Sequence, residues 1–431
     1  MSVAFRLGLL TLVAAAVPAS AQDGDAGAGR EFAAPVRIVA AGKYVGSSRS
    51  VRNPVATYVD IDHDGTRELV VGDEWGFLYV HDPVLEEGEP RFGRARQPVV
   101  DGESLRFAND GSFGVFPQFV DFDGDGREDL LAATYEGAVF VAYATEDGYR
   151  RPERVRDSKD RPVQLARAFD PVEGVWKDRD GVVATESLPE EHAVAAIAVD
   201  WDEDGDLDLL LASQEGRFFV QRDAGGGSPH AFTGTSDPLL VNTLRGLRPL
   251  RVPNGVTSIR ALDWDGDGLF DLVCGSRDGG VLYFRNTGEK GRPDFARSTV
   301  LVQDMSTTRD VPGAEPTAPE NRLYAETVDW DGDGDVDLLV SGATRVVPLP
   351  RELSEEEAAR ADELALRVGE LERSVRDIYR AAVKSDTGVL TPEQERRVLE
   401  LRRELKDVRD ELQELRPEAV DVDYVWLYRR L

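Results

Sequence analysis

Short apolar runs recur along most of this chain, each reached through an acidic, glycine-bearing turn. The runs are Leu69-Val70-Val71-Gly72, Leu130-Leu131-Ala132, Leu209-Leu210-Leu211, Leu272-Val273-Cys274-Gly275 and Leu338-Leu339-Val340. A second β-rich run follows after a turn, as in Phe77-Leu78-Tyr79-Val80 or Val281-Leu282-Tyr283-Phe284-Arg285-Asn286. A further run precedes each turn, as in Ala195-Ala196-Ile197-Ala198-Val199. Their length and β-branched content predict strands of a repeated meander.

Residues 354–416 follow a different period. Apolar side chains fall at Ala361, Leu364, Val368, Leu371, Val375, Ile378 and Ala382, then at Val398, Leu401, Leu405, Val408, Leu412 and Leu415. Steps of three and four predict two helices with a coiled-coil seam. Ser354 with Glu357 and Thr391 with Gln394 read as capping boxes, and Pro392 suits a first helical position. The short turn near Asp386-Thr387-Gly388 predicts an antiparallel hairpin, the first helix reaching ~45 Å at 1.5 Å per residue. Pattern shifts place the hairpin at 351–416, inserted in a β domain of 35–350 and 417–431.

The acidic turns share one pattern, D-x-D-x-D-G-x-x-D. They are Asp60, Asp62, Asp64, Thr66 and Glu68; Asp121, Asp123, Asp125, Arg127 and Asp129; Asp200, Asp202, Asp204, Asp206 and Asp208; Asp263, Asp265, Asp267, Leu269 and Asp271; and Asp329, Asp331, Asp333, Asp335 and Asp337. Calcium takes six to eight hard oxygens at about 2.3–2.6 Å in flexible geometry. Carboxylates at positions 1, 3 and 5 converge, Gly at position 6 turns the chain, position 7 offers its carbonyl and the acid at position 9 closes the site. Magnesium fits less well, because it keeps its waters in a strict octahedron. An EF-hand is excluded: position 12 is Val71, Ala132, Leu211, Cys274 or Val340, never Glu. Up to five calcium ions are therefore expected. The first loop, ending in Glu68, is the least regular.

These loops within a meander resemble the FG-GAP or VCBS repeats of integrin-α-type β-propellers. The resemblance implies an all-β propeller of four-stranded blades, in which calcium rigidifies the turn between the innermost strand and the next. Integrin propellers have seven blades. Five loops favour five here, with a sixth degenerate blade near 150–192 as the alternative. If each blade runs A, loop, B, C, D, then Pro35-Val36-Arg37-Ile38-Val39 supplies the D strand missing after Asp423-Tyr424-Val425-Trp426-Leu427-Tyr428-Arg429, closing the ring. The hairpin then interrupts the B–C turn of the last blade, on the face opposite the loops.

Charge narrows the partners. A net −30 over 431 residues repels nucleic acid and anionic membranes, leaving cations, glycans or proteins. Arg6, the apolar run Leu7 to Val17 and Ala19-Ser20-Ala21 before Gln22 form an export signal with A-x-A cleavage, so 1–21 is expected to be removed and 22–34 to be a flexible lead. No run approaches the ~20 apolar residues of a membrane span. The lone Cys274 permits no intrachain disulfide and reads as a buried strand residue.

Trp201, Trp264 and Trp330 at loop position 2, where Ile61 and Phe122 stand in the other loops, read as inter-blade packing. Trp176 is the better candidate for stacking on a ligand, and Asp178-Arg179-Asp180-Gly181 is a weak further ion turn. The histidines, at 63, 81, 192 and 230, have no metal spacing. Nucleophile-elbow, P-loop, dinucleotide and H-E-x-x-H motifs are absent. The sequence thus points to a secreted or periplasmic, calcium-stabilised binding or adhesion module, not an enzyme. Its expected ligand is a glycan or a protein, met by the face opposite the loops or by the hairpin. The alternatives are a lyase-like polysaccharide-active enzyme and a structural protein that dimerises through the hairpin.

Overall fold

The computed structural model describes residues 32–47, 51–62, 64–84, 91–107, 116–135, 137–170, 173, 175–184, 191–223, 225, 230–243, 246–278, 280–303, 310–383 and 391–431. The proposed export signal, most of the 22–34 segment and the turn at Asp386-Thr387-Gly388 lie outside them.

The described residues are mostly β, in small sheets that are antiparallel apart from one short parallel pair (Ala40 beside Phe92), with two helices. It begins with β1 (Val36–Arg37). Sheet I contains β2 (Val55–Val59), β3 (Glu68–Gly72) and β4 (Leu78–His81). Sheet II contains β5 (Phe116–Val120), β6 (Asp129–Ala133), β7 (Val139–Ala142) and β8 (Glu153–Arg154). Sheet III contains β9 (Ala193–Val199), β10 (Asp208–Ser213), β11 (Phe218–Gln221) and β12 (Asp237–Pro238). Sheet IV contains β13 (Val256–Leu262), β14 (Asp271–Ser276), β15 (Val281–Phe284) and β16 (Thr299–Val302). Sheet V contains β17 (Asn321–Val328) and β18 (Asp337–Val346), which leads into helices α1 (Glu355–Val383) and α2 (Pro392–Leu415), and then β19 (Val420–Tyr428). The terminal strand β1 pairs with β19, Val36 opposite Leu427 and Arg37 opposite Trp426.

The core lies between sheets. One cluster joins Ile61, Val70 and Leu78 of sheet I to Leu130, Ala132 and Phe140 of sheet II. Others join II to III, III to IV and IV to V. The fifth joins Val328, Trp330 and Leu339 of sheet V to Ala56, Leu69 and Val71 of sheet I. The second, fully buried strand of each sheet explains why β3, β6, β10, β14 and β18 read as unbroken apolar runs. Cys274 is among these buried residues, and burial raises its thiol far above the usual range.

Position 2 of the acidic loops supplies the wedge between neighbours. Trp201 packs near Phe270 and Phe295 of sheet IV, and Trp330 lies 4.5 Å from the Tyr58 ring of sheet I. Trp264 carries the Arg430 guanidinium 4.4 Å from its ring centroid. Phe122 lies 4.6 Å from the His230 ring. Arg260 of sheet IV pairs with Glu326 of sheet V and donates to the Pro117 carbonyl of sheet II, all buried.

The segment after sheet II forms a two-stranded hairpin, 168–170 with 175–177, where a sixth blade was the alternative. Trp176 is held there between the Arg167 guanidinium at 4.7 Å and the His192 ring at 4.9 Å.

In the helical insertion both capping boxes form. Ser354 Oγ accepts from the Glu357 N–H, and Thr391 Oγ1 accepts from the Gln394 N–H. Ion pairs Arg360–Glu411, Arg367–Glu404 and Arg409–Glu372 fix the helices antiparallel. Ala361, Leu364, Leu371, Val398 and Leu401 are buried between them, while Val368, Val375, Ile378, Leu405, Val408, Leu412 and Leu415 are half-buried.

Candidate metal centres

Each acidic loop links the first strand of a sheet to the second, and its backbone is tied down by its own carboxylates. Asp60 accepts from the N–H groups of Asp64 (3.1 Å) and Gly65 (2.9 Å). Asp121, Asp200 and Asp263 likewise accept from Gly126, Gly205 and Gly268, and Asp329 from Gly332. The acid at position 5 accepts the N–H of position 7: Asp64 from Thr66, Asp125 from Arg127, Asp204 from Asp206, Asp267 from Leu269 and Asp333 from Asp335, at 2.7–3.1 Å. The glycine at position 6 has φ between 85° and 98° in every loop, a left-handed turn that an L side chain strains to make.

The acid at position 9 does more than close a site. Glu68, Asp129, Asp208, Asp271 and Asp337 are at most 3% exposed. One oxygen accepts from the position 2 N–H in four loops: Ile61, Phe122, Trp264 and Trp330, at 3.0–3.2 Å. The other reaches across to the end of the third strand, to the N–H of Ala144, Asp223, Asn286 or Arg430. This residue therefore staples loop, second strand and third strand together. Burial raises its pKa in every loop, and nearby loop carboxylates raise it further; Glu68 is pushed up to about 7 and Asp271 to about 6. A cation among these groups offsets that cost.

Ligand atoms of three acids lie within 4.8 Å of one another in each loop. The sets are Asp60, Asp62 and Glu68; Asp121, Asp123 and Asp129; Asp200, Asp202 and Asp204; Asp263, Asp265 and Asp271; Asp329, Asp331 and Asp333. Two oxygens on opposite sides of one calcium ion stand about 4.6–5.2 Å apart, so this spread fits a shared hard cation. The sets omit Asp64, Asp125 and Asp267 in three loops and Asp208 and Asp337 in the other two. Buried Oδ1 atoms of Asp121, Asp202 and Asp265 have no hydrogen-bond partner, as expected of donors arranged for an ion. Arginines partly neutralise four loops: Arg96 on Asp62, Arg127 on Asp125, Arg222 on Asp202 and Asp208, Arg285 on Asp265. Among the described residues the Asp178 turn gathers no third acid; its carboxylate accepts from Asp180 and Val182 N–H groups, and Asp180 faces Arg161.

At the other end of the sheets, the turn after each second strand repeats one backbone form. Gly76, Gly137 and Gly216 donate back to Asp73, Thr134 and Ser213. The residue following that acceptor is Glu74, Tyr135 or Gln214, and the matching position after Ser276 is Arg277. Glu74, Tyr135 and Arg277 line a cavity of about 490 Å³ among the starts of the first strands. Sequence reasoning passed over these residues. Superposing the repeats by register, so that one turn position shows four different chemistries, would have exposed them. The helices α1 and α2 leave sheet V at this same end, since β18 pairs with β19 from Val346 opposite Val420.

No helix of the described residues is long and apolar enough to cross a membrane. Among solved structures, the chain is similar to a component of the Photorhabdus luminescens Tc holotoxin pore at 17% identity and TM-score 0.31, over 69% of this chain and 11% of that one. It is also similar to BBS1N in complex with ARL6DN, in a mercury-soaked crystal at 13% identity and TM-score 0.33, over 67% of this chain and 76% of that one. A search of the curated proteins finds no match. The family described as FG-GAP-like repeat matches residues 200–274 and 263–340, spanning the third, fourth and fifth acidic loops. Residues 200–340 thus carry FG-GAP-like repeats, within a mostly β chain of small sheets.

Proposed function

We propose that this protein is an exported, calcium-stabilised binding module: a five-bladed propeller, closed by β1 on β19, that meets a glycan or protein partner with the end opposite its acidic loops. The observation that carries this reading is the division of labour between the two ends. Five convergent carboxylate sets occupy one end. A walled cavity and the helical hairpin share the other. The ring is supported by the fifth hydrophobic cluster, which runs from sheet V back to sheet I. Calcium is supported by an all-oxygen donor set with unpartnered buried oxygens. The hairpin adds a second contact surface on the same side, with Leu366 and Leu399 exposed outside its seam.

The test exposes the calcium-loaded protein to panels of polysaccharides and exported proteins, recording retention and any reducing ends or unsaturated products. The reading expects retention without product. Retention should fall in a Tyr135→Glu variant or on shortening 354–416, and should survive Glu203→Lys at the loop end. Product formation, or sensitivity at the loop end alone, would overturn it. Solution mass with and without 354–416 checks dimerisation through the hairpin.

A further inference from the structure

The cavity at the hairpin end is built unlike the rest of the molecule. Its walls are apolar: Val55, Phe116, Val194, Val256 and Tyr324, with the Phe116 and Tyr324 rings 4.9 Å apart. Its size falls within the range of small-ligand pockets, roughly 300–1,000 Å³. The buried Arg260–Glu326 pair lies deeper along the same strands: Arg260 is four residues beyond Val256, about 13 Å at 3.3 Å per residue.

Two arginines stand at its rim in a chain with a large excess of acids. Arg277 donates to the Tyr135 hydroxyl at 2.5 Å, and among the described residues no carboxylate lies within ion-pair distance of it. Arg322 has its nearest carboxylate, Asp423, at 3.6 Å, and its buried Nε has no hydrogen-bond partner. Glu74, the acid of the lining, is already engaged by Asn53 Nδ2 at 2.7 Å and Arg52 at 3.3 Å. Among the described residues the Arg277 charge is thus left without a carboxylate, and Arg322 is held by Asp423 only at the long end of ion-pair distance.

The backbone around the cavity is also distorted in register. Strand pairing shifts between Ala193 and Ala195, between Val256 and Ser258, and between Asn321 and Tyr324. The displaced residues include Val194, Thr257 and Arg322, all of which line the cavity. Bulges re-aim side chains and gather beside binding sites. Arg322 moreover has φ 52°, a left-handed conformation that an L side chain strains to make, and is pinned by its N–H donating to the Arg277 carbonyl at 2.9 Å.

Building on the binding-face reading above, we propose that this cavity takes a carboxylate carried on an apolar, preferably aromatic, body. The guanidinium groups of Arg277 and Arg322 grip the carboxylate, for which planar, forked donors are matched. The body lies on Phe116, Tyr324 and the valines. A sugar ring is disfavoured, because those walls offer few partners for its hydroxyls.

The test titrates the calcium-loaded full chain with N-acetyl-phenylalanine, its amide, and a short peptide ending in a free phenylalanine carboxylate, by calorimetry. Both acids should bind and the amide should not; tighter binding of the peptide would identify a chain terminus as the natural source, equal binding a free acid. Arg277→Gln should weaken the acids at least tenfold with melting temperature and calcium content unchanged, and Arg277→Lys should recover part of the loss. Binding of the amide equal to the acid, an unaffected Arg277→Gln, or no binding of any acid at millimolar concentration would overturn the proposal. If the acids fail while Tyr135-dependent retention of a partner persists, the cavity assignment falls and the binding-face reading stands. If that retention is absent too, both fall.

Discussion

The loop end and the hairpin end are made from the same strands, yet they spend sequence differently. At the loop end an Asp, a left-handed Gly and a buried acid return in all five sheets, and in four of them the Asp accepts from that Gly N–H. At the other end one turn position carries Glu74, Tyr135, Gln214 and Arg277 in four sheets, and the fifth sheet replaces the turn with two helices. Repetition marks a task every sheet must perform, holding its turn against like-charge repulsion. Divergence on a repeated backbone marks a surface where each sheet contributes a different group to one place.

The largest test of this contrast removes the ions. Chelation should lower the melting temperature strongly, because an ion held at a hundredfold above its dissociation constant stabilises by about 2.7 kcal/mol per site. The same treatment should leave the secondary structure of the helical hairpin least affected, since α1 and α2 are joined by their own ion pairs. A melt unchanged by chelator would break the comparison at its loop end.

Next in size is the buried Arg260–Glu326 pair. Arg260→Met leaves Glu326 buried without its partner and should cost about 3–5 kcal/mol in urea unfolding, with much of that recovered on adding Glu326→Leu. A single-variant loss under about 1 kcal/mol would show that water reaches the pair.

Smaller effects sharpen the loop end itself. Position 4 is Gly124, Gly266 and Gly332 in three loops, whereas Glu203 in the third loop is held at φ 59°. Glu203→Gly should therefore stabilise by up to about 1 kcal/mol, less whatever its 2.6 Å pair with Lys290 contributes. A clear destabilisation would mean that the ion pair outweighs the strain. The smallest effect concerns pH. Burial lowers the pKa of His81 below its usual 6.5, so the folded state resists protonation. Stability should fall as pH drops through 6.5, where the unfolded chain takes up the proton first. His81→Asn, compared in the same chelated buffer, should flatten that part of the profile.

Much of this was legible in the chain. The D-x-D-x-D-G spacing located the loops, the apolar runs located their second strands, and the A–B–C–D order foresaw the pairing of β1 with β19. The capping residues placed both helices. What escaped depends on three-dimensional neighbours without a sequence period. The double hydrogen bonding of Asp129 or Asp271 reaches fifteen residues ahead to Ala144 and Asn286, a distance set by the meander and not by the loop. Arg260 and Glu326 stand 66 residues apart on different sheets. Trp176 reads as open to a ligand because it lies in the long Asp170–Asp180 connection, whereas Arg167 and His192 fold over it.

The central claim is that all five loops serve one purpose, and counting ions tests it most directly. Calorimetric titration of chelator-stripped protein with calcium, checked by elemental analysis of the dialysed complex, should give close to five ions per chain and a rise in melting temperature that tracks occupancy. A protein that binds no calcium, or binds it without any change in melting temperature, would contradict the account.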